Sequence, residues 1–127
     1  QAGIRSMSLA EREVLEPGRI FYAESMLDGS NKTWMYDFLN KLSRNVFITI
    51  DLDVLDPSLM PAVATPEPGG LQWAGFVEIL TKVNEKSNIA GVCIAGLVPI
   101  KYNKAPNFIA ARLLNTILTL RNTSELK

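Results

Sequence analysis

Residues 46–57 read Val-Phe-Ile-Thr-Ile-Asp-Leu-Asp-Val-Leu-Asp-Pro, an apolar, largely β-branched run that ends in acidic residues. A continuous run of this kind is typical of a strand that is covered on both faces in a parallel sheet. Side chains at positions i and i+2 of a strand point to the same face, so the carboxylates of Asp51 and Asp53 should look the same way. Proteins of the α/β class hold ligands at the open ends of such strands, and paired carboxylate oxygens suit a divalent cation. The stretch therefore predicts a metal site at Asp51 and Asp53.

Outside this stretch, the apolar patterns alternate between strand and helix. Further strands are expected at Arg19–Ala23 and Ile89–Val98. Ser8 and Glu11 have the spacing of a capping box, which predicts a helix at Leu9–Leu15. A second helix is expected after Ser30 or Asn31 as its cap, with an apolar face from Trp34 to Leu42. Two more helices are expected at Leu71–Asn84 and Asn107–Arg121. The stretch from Asp56 to Gly70 is rich in proline and glycine and is predicted to be a loop.

This order of elements predicts an α/β fold, with a parallel sheet and helices packed on it. About three strands would make a small sheet, since sheets usually have about five or six strands. The pattern therefore suggests that neighbouring strands are missing. The chain also begins with Gln1 rather than Met, and we expect it to have been cut from a longer one.

The composition narrows the class of protein further. Apolar residues make up 47% of the 127 residues, and the 13 basic residues balance the 13 acidic ones. This balance argues against a nucleic acid or a membrane surface as partner, and no apolar stretch is long enough to cross a bilayer. The single Cys93 excludes an internal disulfide framework and favours a cytoplasmic setting; its position within a strand predicts a buried structural thiol. The absence of histidine removes the commonest transition-metal ligand.

The stretch from Ile48 to Leu71 resembles the signature of the ureohydrolases, the arginase and agmatinase family. Gly3-Ile4-Arg5-Ser6 is similar to a segment that lies upstream of this signature in agmatinase-type members, and Pro66-Glu67-Pro68-Gly69-Gly70-Leu71 favours the agmatinase branch. The resemblance covers nearly the whole chain. It implies a three-layer α/β/α, arginase-like fold in which residues 1–127 form the C-terminal part of a single domain. The N-terminal metal-binding half of that domain is absent from this sequence.

The resemblance also implies roles for single residues. Asp51 corresponds to an aspartate that bridges two Mn²⁺ ions, and Asp53 to one that binds a single ion. The family uses a metal-bound hydroxide to attack a guanidinium carbon and to release urea. The remaining ligands, several of them histidines, come from the N-terminal half. Asp56 is expected to serve the turn before Pro57, and the glycines at 69 and 70 are expected to let the loop bend before the next helix.

Three positions depart from the family pattern. Gly96 stands where the family has a glutamate that holds the substrate guanidinium, so a bidentate carboxylate–guanidinium pair cannot form there. Cys93 stands where the family has an aspartate, and Ala64 where it has a glycine. Because the remaining metal ligands are not in this sequence and the substrate glutamate is replaced, we expect that this chain alone binds Mn²⁺ weakly and releases no urea.

Two alternatives remain open at this point. The chain could belong to a non-catalytic homologue that acts in assembly with related subunits, since family members form trimers or hexamers. The D-x-D pair also resembles the first motif of haloacid-dehalogenase phosphatases, with Asp51 as nucleophile and Asp53 as acid, although no convincing set of later motifs follows. Arg5 is open between a salt bridge and a substrate contact. For Lys101, Tyr102 and Lys104 a solvated loop is favoured over a substrate loop.

Overall fold

The computed structural model describes residues 1–29 and 33–124, with side chains up to residue 122. The strands are β1 (Ala2–Ile4), β2 (Phe21–Tyr22), β3 (Asn45–Asp51) and β4 (Asn88–Ala95). The helices are α1 (Leu9–Val14), α2 (Ala23–Leu27), α3 (Trp34–Leu39), α4 (Trp73–Lys86) and α5 (Ala105–Ser124), and a 3₁₀ turn covers Leu52–Val54. β1 pairs with β2, and β3 pairs with β4, both in parallel. The predicted α/β fold with parallel strands is confirmed.

The expected strand at Arg19–Ala23 differs most from the structure. Only β2 is extended there, and it pairs with β1 rather than with β3. Within the described residues there are thus two sheets of two strands instead of one sheet of three. The three residues of β1 are too few to show a period-2 pattern, which is why the sequence did not reveal this partner. The proposed caps Ser30 and Asn31 lie outside the described residues.

The apolar run of β3 is covered on one face only in the part of the chain described. Ile50 belongs to the core, which also contains residues of α4 and α5, and Val46 and Ile48 pack against that core. Phe47 on the opposite face is 66% exposed, and Cys93 of β4, which pairs with Thr49, is also exposed. The predictions of a strand covered on both faces and of a buried thiol are therefore wrong for these residues. The run is the pattern of a strand covered on both faces, whereas the described residues cover only one, so Phe47 lies on an apolar face that is open in this part of the chain.

The segment that follows β3 is anchored in the core. The side chains of Leu52, Leu55 and Met60 are almost completely buried. Each such side chain contributes about 1.5–3 kcal/mol relative to an exposed one. The core also contains Phe76, Leu80 and Val83 of α4 and Leu113 and Ile117 of α5. The turn that carries the acidic residues is thus held by the most deeply buried part of the molecule. Among the described helices, none combines the length and the apolar character needed to cross a membrane.

Candidate metal site

The two aspartates lie where β3 ends. Asp51 is the last residue of the strand, and its Oδ1 accepts a hydrogen bond of 3.3 Å from the backbone N–H of Asp53 in the 3₁₀ turn. Leu52 between them points into the core and is fully buried. Burial raises the pKa of Asp53, and the negative charges of Asp51 and Glu67 raise it further, while the positive charge of Arg5 lowers it. The prediction that strand alternation orients both carboxylates is wrong, because Asp53 lies in the 3₁₀ turn and not in β3. The charge of Asp51 still acts on Asp53 across this turn, and a bound cation would relieve the repulsion.

Arg5 holds the backbone of this turn. Its guanidinium donates one hydrogen bond to the carbonyl of Asp53 and a second, of 3.2 Å, to the carbonyl of Val54. The sequence left Arg5 open between a salt bridge and a substrate contact, and these backbone contacts are neither. The sequence alone could not reveal these hydrogen bonds, because the acceptors lie 48 and 49 residues further along the chain.

Asp56 closes the loop that follows. Its Oδ1 accepts from the backbone N–H and the hydroxyl of Ser58, at 3.0 and 2.5 Å, and its Oδ2 accepts from the N–H groups of Gly69 and Gly70, at 3.0 and 3.3 Å. These hydrogen bonds, those of Ser58 foremost, lower the pKa of Asp56 to about 2. The prediction that Asp56 serves the turn is confirmed.

The glycine pair at the end of the loop meets two different requirements. Gly69 has a φ of +82°, a conformation that favours glycine. A side chain at Gly70 would lie 2.5 Å from the backbone nitrogen of Asp56, so no other residue fits without a shift. The predicted bend is therefore confirmed, although α4 begins at Trp73 rather than at Leu71.

The loop after β4 lies beside the aspartate pair. Gly96 has a φ of +87°, and a Cβ at this position would overlap Oδ1 of Asp51. The N–H of Val98 donates a hydrogen bond of 2.8 Å to the carbonyl of Ala62, which joins this loop to the proline-rich one. Tyr102 is 91% exposed, with Nζ of Lys101 4.9 Å from its ring centre, in agreement with a solvated loop. The structure thus places backbone, rather than a carboxylate, against Asp51.

A cavity of about 540 Å³ lies next to the turn. Arg5, Tyr22, Glu24 and Glu67 are among its lining residues, and neither Asp51 nor Asp53 is. Glu67 accepts a hydrogen bond of 2.8 Å from the hydroxyl of Ser6, which links the two segments of the chain on this side of the site. Sequence reasoning did not single out Glu24 or the contact of Ser6 with Glu67, since no local pattern marks either.

The donor set matches a divalent cation only in part. Carboxylate oxygens are the ligands that Mn²⁺ prefers. In residues 1–29 and 33–124, however, no group of three or more His, Cys, Asp or Glu side chains is arranged to hold a metal. Two aspartates supply fewer ligands than the four to six that such an ion takes. Asp51 and Asp53 are suited to be part of a coordination shell, and other groups must complete it.

Comparison with known proteins places this geometry in a wider context. N(1)-aminopropylagmatine ureohydrolase of Synechocystis sp. is 29% identical over 127 residues, an alignment that covers 98% of this chain and 41% of that protein. The structure of agmatine ureohydrolase of Thermoplasma volcanium is similar with a TM-score of 0.73 and 27% identity, over 95% of this chain and 41% of the other. Proclavaminate amidino hydrolase from Streptomyces clavuligerus has a TM-score of 0.78 at 22% identity, over 95% and 41% of the two chains, and shares the fold.

The extent of these matches has two consequences. The chain spans 41% of the length of the Synechocystis relative, so it corresponds to a part of that protein. The sequence profile of the Arginase family matches residues 1–119. Since that match takes in both aspartates, the proline-rich loop and every described strand, this chain belongs to the arginase family.

Proposed function

We propose that this chain is the C-terminal part of an agmatinase-like ureohydrolase, whose complete form hydrolyses a guanidino C–N bond and releases urea at a dinuclear manganese centre. The observation that supports this most directly is the pair Asp51 and Asp53, held at the end of β3 in a chain of the arginase family. The relatives, an aminopropylagmatine ureohydrolase and an agmatine ureohydrolase, support the reaction class.

In this proposal Asp51 and Asp53 are metal ligands. Bound Mn²⁺ would supply a Lewis acid that lowers the pKa of water near the substrate. The chain's own contribution is to present two carboxylates on a turn that Leu52 anchors in the core. The histidine-bearing remainder of the shell would come from residues outside this sequence. Residues 1–127 alone are therefore proposed to bind Mn²⁺ weakly and to lack activity.

The substrate side of the proposal is limited by Gly96. A guanidinium is best held by a carboxylate that accepts two parallel hydrogen bonds, and Gly96 offers none. Its backbone lies against Asp51 instead. We therefore propose that this chain contributes metal ligands and loop structure, and that any carboxylate that holds a guanidino substrate lies elsewhere.

A second candidate is a non-catalytic homologue that assembles with related subunits. Gly96 favours it, because the glutamate that would hold a guanidino substrate is replaced there. The exposed Phe47 and Cys93 on the outward face of β3 and β4 form an apolar surface that is suited to being covered by protein, which agrees with both candidates. A homo-oligomer in the cytoplasm is part of both proposals. The phosphatase alternative is weaker, because membership of the arginase family supplies a different chemistry for the same two aspartates.

The test supplies the missing part in trans. The residues of the Synechocystis relative that precede its aligned region are co-purified with this chain, and urea release from agmatine and from N(1)-aminopropylagmatine is measured with Mn²⁺ present. Urea is expected from the reconstituted pair and not from either part alone. The control pair is Asp51→Asn, which should abolish urea release, and Asp37→Asn on α3, which should leave it unchanged.

Two results would contradict parts of this proposal, the incomplete ligand set in one case and the urea-forming activity in the other. Titration calorimetry that finds two Mn²⁺ ions tightly bound by the chain alone would show that its ligand set is complete. A reconstituted pair that binds two Mn²⁺ ions and forms no urea would favour the non-catalytic candidate.

A further inference from the structure

Arg5 connects the start of the chain to the turn that bears the aspartates. It follows β1 directly, and its guanidinium donates to the carbonyls of Asp53 and Val54. We propose that Arg5 is a positioning residue, which fixes the Leu52–Val54 turn and thereby the placement of the Asp51 and Asp53 carboxylates. Where the inference concerns Mn²⁺, it rests on the proposed function.

The contact is part of a continuous set of hydrogen bonds. The carbonyl of Val54 accepts from Arg5 and also from the N–H of Leu71, at 2.9 Å, and the carbonyl of Leu71 accepts from the N–H of Asp56 at 3.0 Å. Arg5 therefore braces the point at which the two ends of the proline-rich loop meet the end of β3. Loss of its two hydrogen bonds should loosen the N–H groups of Asp56 and Leu71 as well as the turn itself.

The backbone of β1 is pressed against the same turn. A Cβ at Gly3 would overlap Cγ2 of Val54, and Gly3 has a φ of +83° that favours glycine. Glycine at this position lets the strand approach closely enough for Arg5, two residues later, to reach two successive carbonyls. The close approach of Gly3 to Val54 therefore places the Arg5 guanidinium within hydrogen-bonding distance of the turn.

The chemistry of the side chain distinguishes positioning from a simple charge effect. A guanidinium presents several N–H groups in a planar fork that suits two neighbouring acceptors, whereas a lysine ammonium is a compact point charge. A positive charge beside a cation site lowers the affinity of that site. Arginine would therefore weaken Mn²⁺ binding if charge were its only effect, so a net benefit has to come from ordering the turn.

The experiment compares Arg5→Lys, which keeps the charge and loses the fork, with Arg5→Met, which loses both. Arg12→Lys and Arg12→Met on the exposed face of α1 are the matched controls. The first readout is amide hydrogen exchange at Asp56 and Leu71 in the metal-free chain, with Val83 of α4 as internal reference. The second is the dissociation constant for Mn²⁺, measured by the electron paramagnetic resonance signal of the free ion.

Both Arg5 variants are expected to exchange the Asp56 and Leu71 amides at least about tenfold faster than the unaltered chain, with Val83 unchanged. Arg5→Lys should weaken Mn²⁺ binding by about tenfold although the charge is the same, as losses of supporting contacts at metal sites commonly do. The Arg12 variants should leave both quantities unchanged.

Unchanged exchange in both Arg5 variants would overturn the inference whether or not the chain binds Mn²⁺. Unaltered Mn²⁺ affinity in Arg5→Lys together with tighter binding in Arg5→Met would also overturn it, because charge alone would then explain the effect. If the unaltered chain binds no Mn²⁺ while the Arg5 variants exchange faster, the positioning of the turn is supported and the proposed weak Mn²⁺ binding by this chain alone fails. Should Arg5→Met not fold, Arg5→Lys alone still decides the exchange result.

Discussion

Gly96 lies against the carboxylate of Asp51, in a backbone conformation with a φ of +87° that residues with a side chain rarely adopt. The position that follows β4 therefore limits the space around the last residue of β3. A glutamate placed here would have to displace Asp51 or move the loop. The departure from the family pattern at position 96 is thus accompanied by a backbone conformation that accommodates it.

The first prediction concerns this contact. Gly96→Ala should lower the free energy of unfolding by about 1–3 kcal/mol, because it adds a strained backbone to an overlap with Asp51. Gly75→Ala on the exposed face of α4, where a Cβ meets open space, should raise it by about 0.5–1 kcal/mol. Urea unfolding followed by circular dichroism measures both. Equal stability of Gly96→Ala and the unaltered chain would show that the loop moves without cost.

The second prediction concerns Asp56 and pH. Its pKa of about 2 in the folded chain lies below the ordinary value of 3.8, so its ionised form stabilises the fold. The contribution of the ionised Asp56 to the free energy of unfolding is fully present above the pKa that Asp56 has in the unfolded chain. It is lost as the pH falls toward the pKa of Asp56 in the folded chain. Asp56→Asn should lower the melting temperature at neutral pH, and the gap between variant and unaltered chain should narrow between about pH 4 and pH 2. A gap that is constant over this range would contradict the role of the charge. Asp37→Asn serves as the control.

The third prediction concerns Asp53. Burial foremost, and then the charge of Asp51, raise its pKa, so its ionised form is disfavoured in the metal-free fold. The folded chain then holds the proton more tightly than the unfolded one, and stability falls as the pH rises past the ordinary pKa. Asp53→Asn should therefore raise the melting temperature of the metal-free chain at neutral pH and abolish Mn²⁺ binding. Thermal unfolding with a chelator, beside a Mn²⁺ titration, checks both effects. A lower melting temperature would indicate that the carboxylate stabilises the fold.

The fourth prediction concerns the outward face of β3 and β4. Cys93 is exposed there, so a thiol reagent should label it in the folded chain at the rate of the unfolded one, to within about tenfold. If the proposed N-terminal part covers this face, the residues of the Synechocystis relative that precede its aligned region should slow labelling strongly. Phe47→Ser should leave stability within about 1 kcal/mol and reduce self-association, since Phe47 is 66% exposed. Slow labelling that needs denaturant would contradict the exposed position of Cys93.

Local patterns in the sequence predicted the elements whose causes are themselves local. The capping box at α1 is present, with Ser8 Oγ accepting from the N–H of Glu11 at 3.2 Å and Glu11 accepting from the N–H of Ser8 at 2.7 Å. Asp56 could likewise be interpreted from its neighbours, because aspartates before proline commonly accept backbone N–H bonds.

Features that depend on distant parts of the chain could not be found this way. Arg5 contacts a turn 48 residues away, and β1 became visible only through its pairing with β2. The exposure of Phe47 depends on which elements cover a sheet face, and the apolar run of β3 indicates a face suited to being covered without indicating which residues cover it. The metal roles of Asp51 and Asp53 remain predictions that the titrations above address.

The bonds of Asp56 also determine what a cut in the loop would do. Asp56 joins Ser58 to Gly69 and Gly70, Met60, Ala62 and Val63 are buried, and residues 64–66 form an exposed tip of the loop. A protease that cleaves between Ala64 and Thr65 would sever the covalent chain while leaving these contacts in place. The two pieces would stay together as one folded particle. Asp51 and Asp53 would belong to the first piece, and Gly96, whose backbone lies against Asp51, would belong to the second.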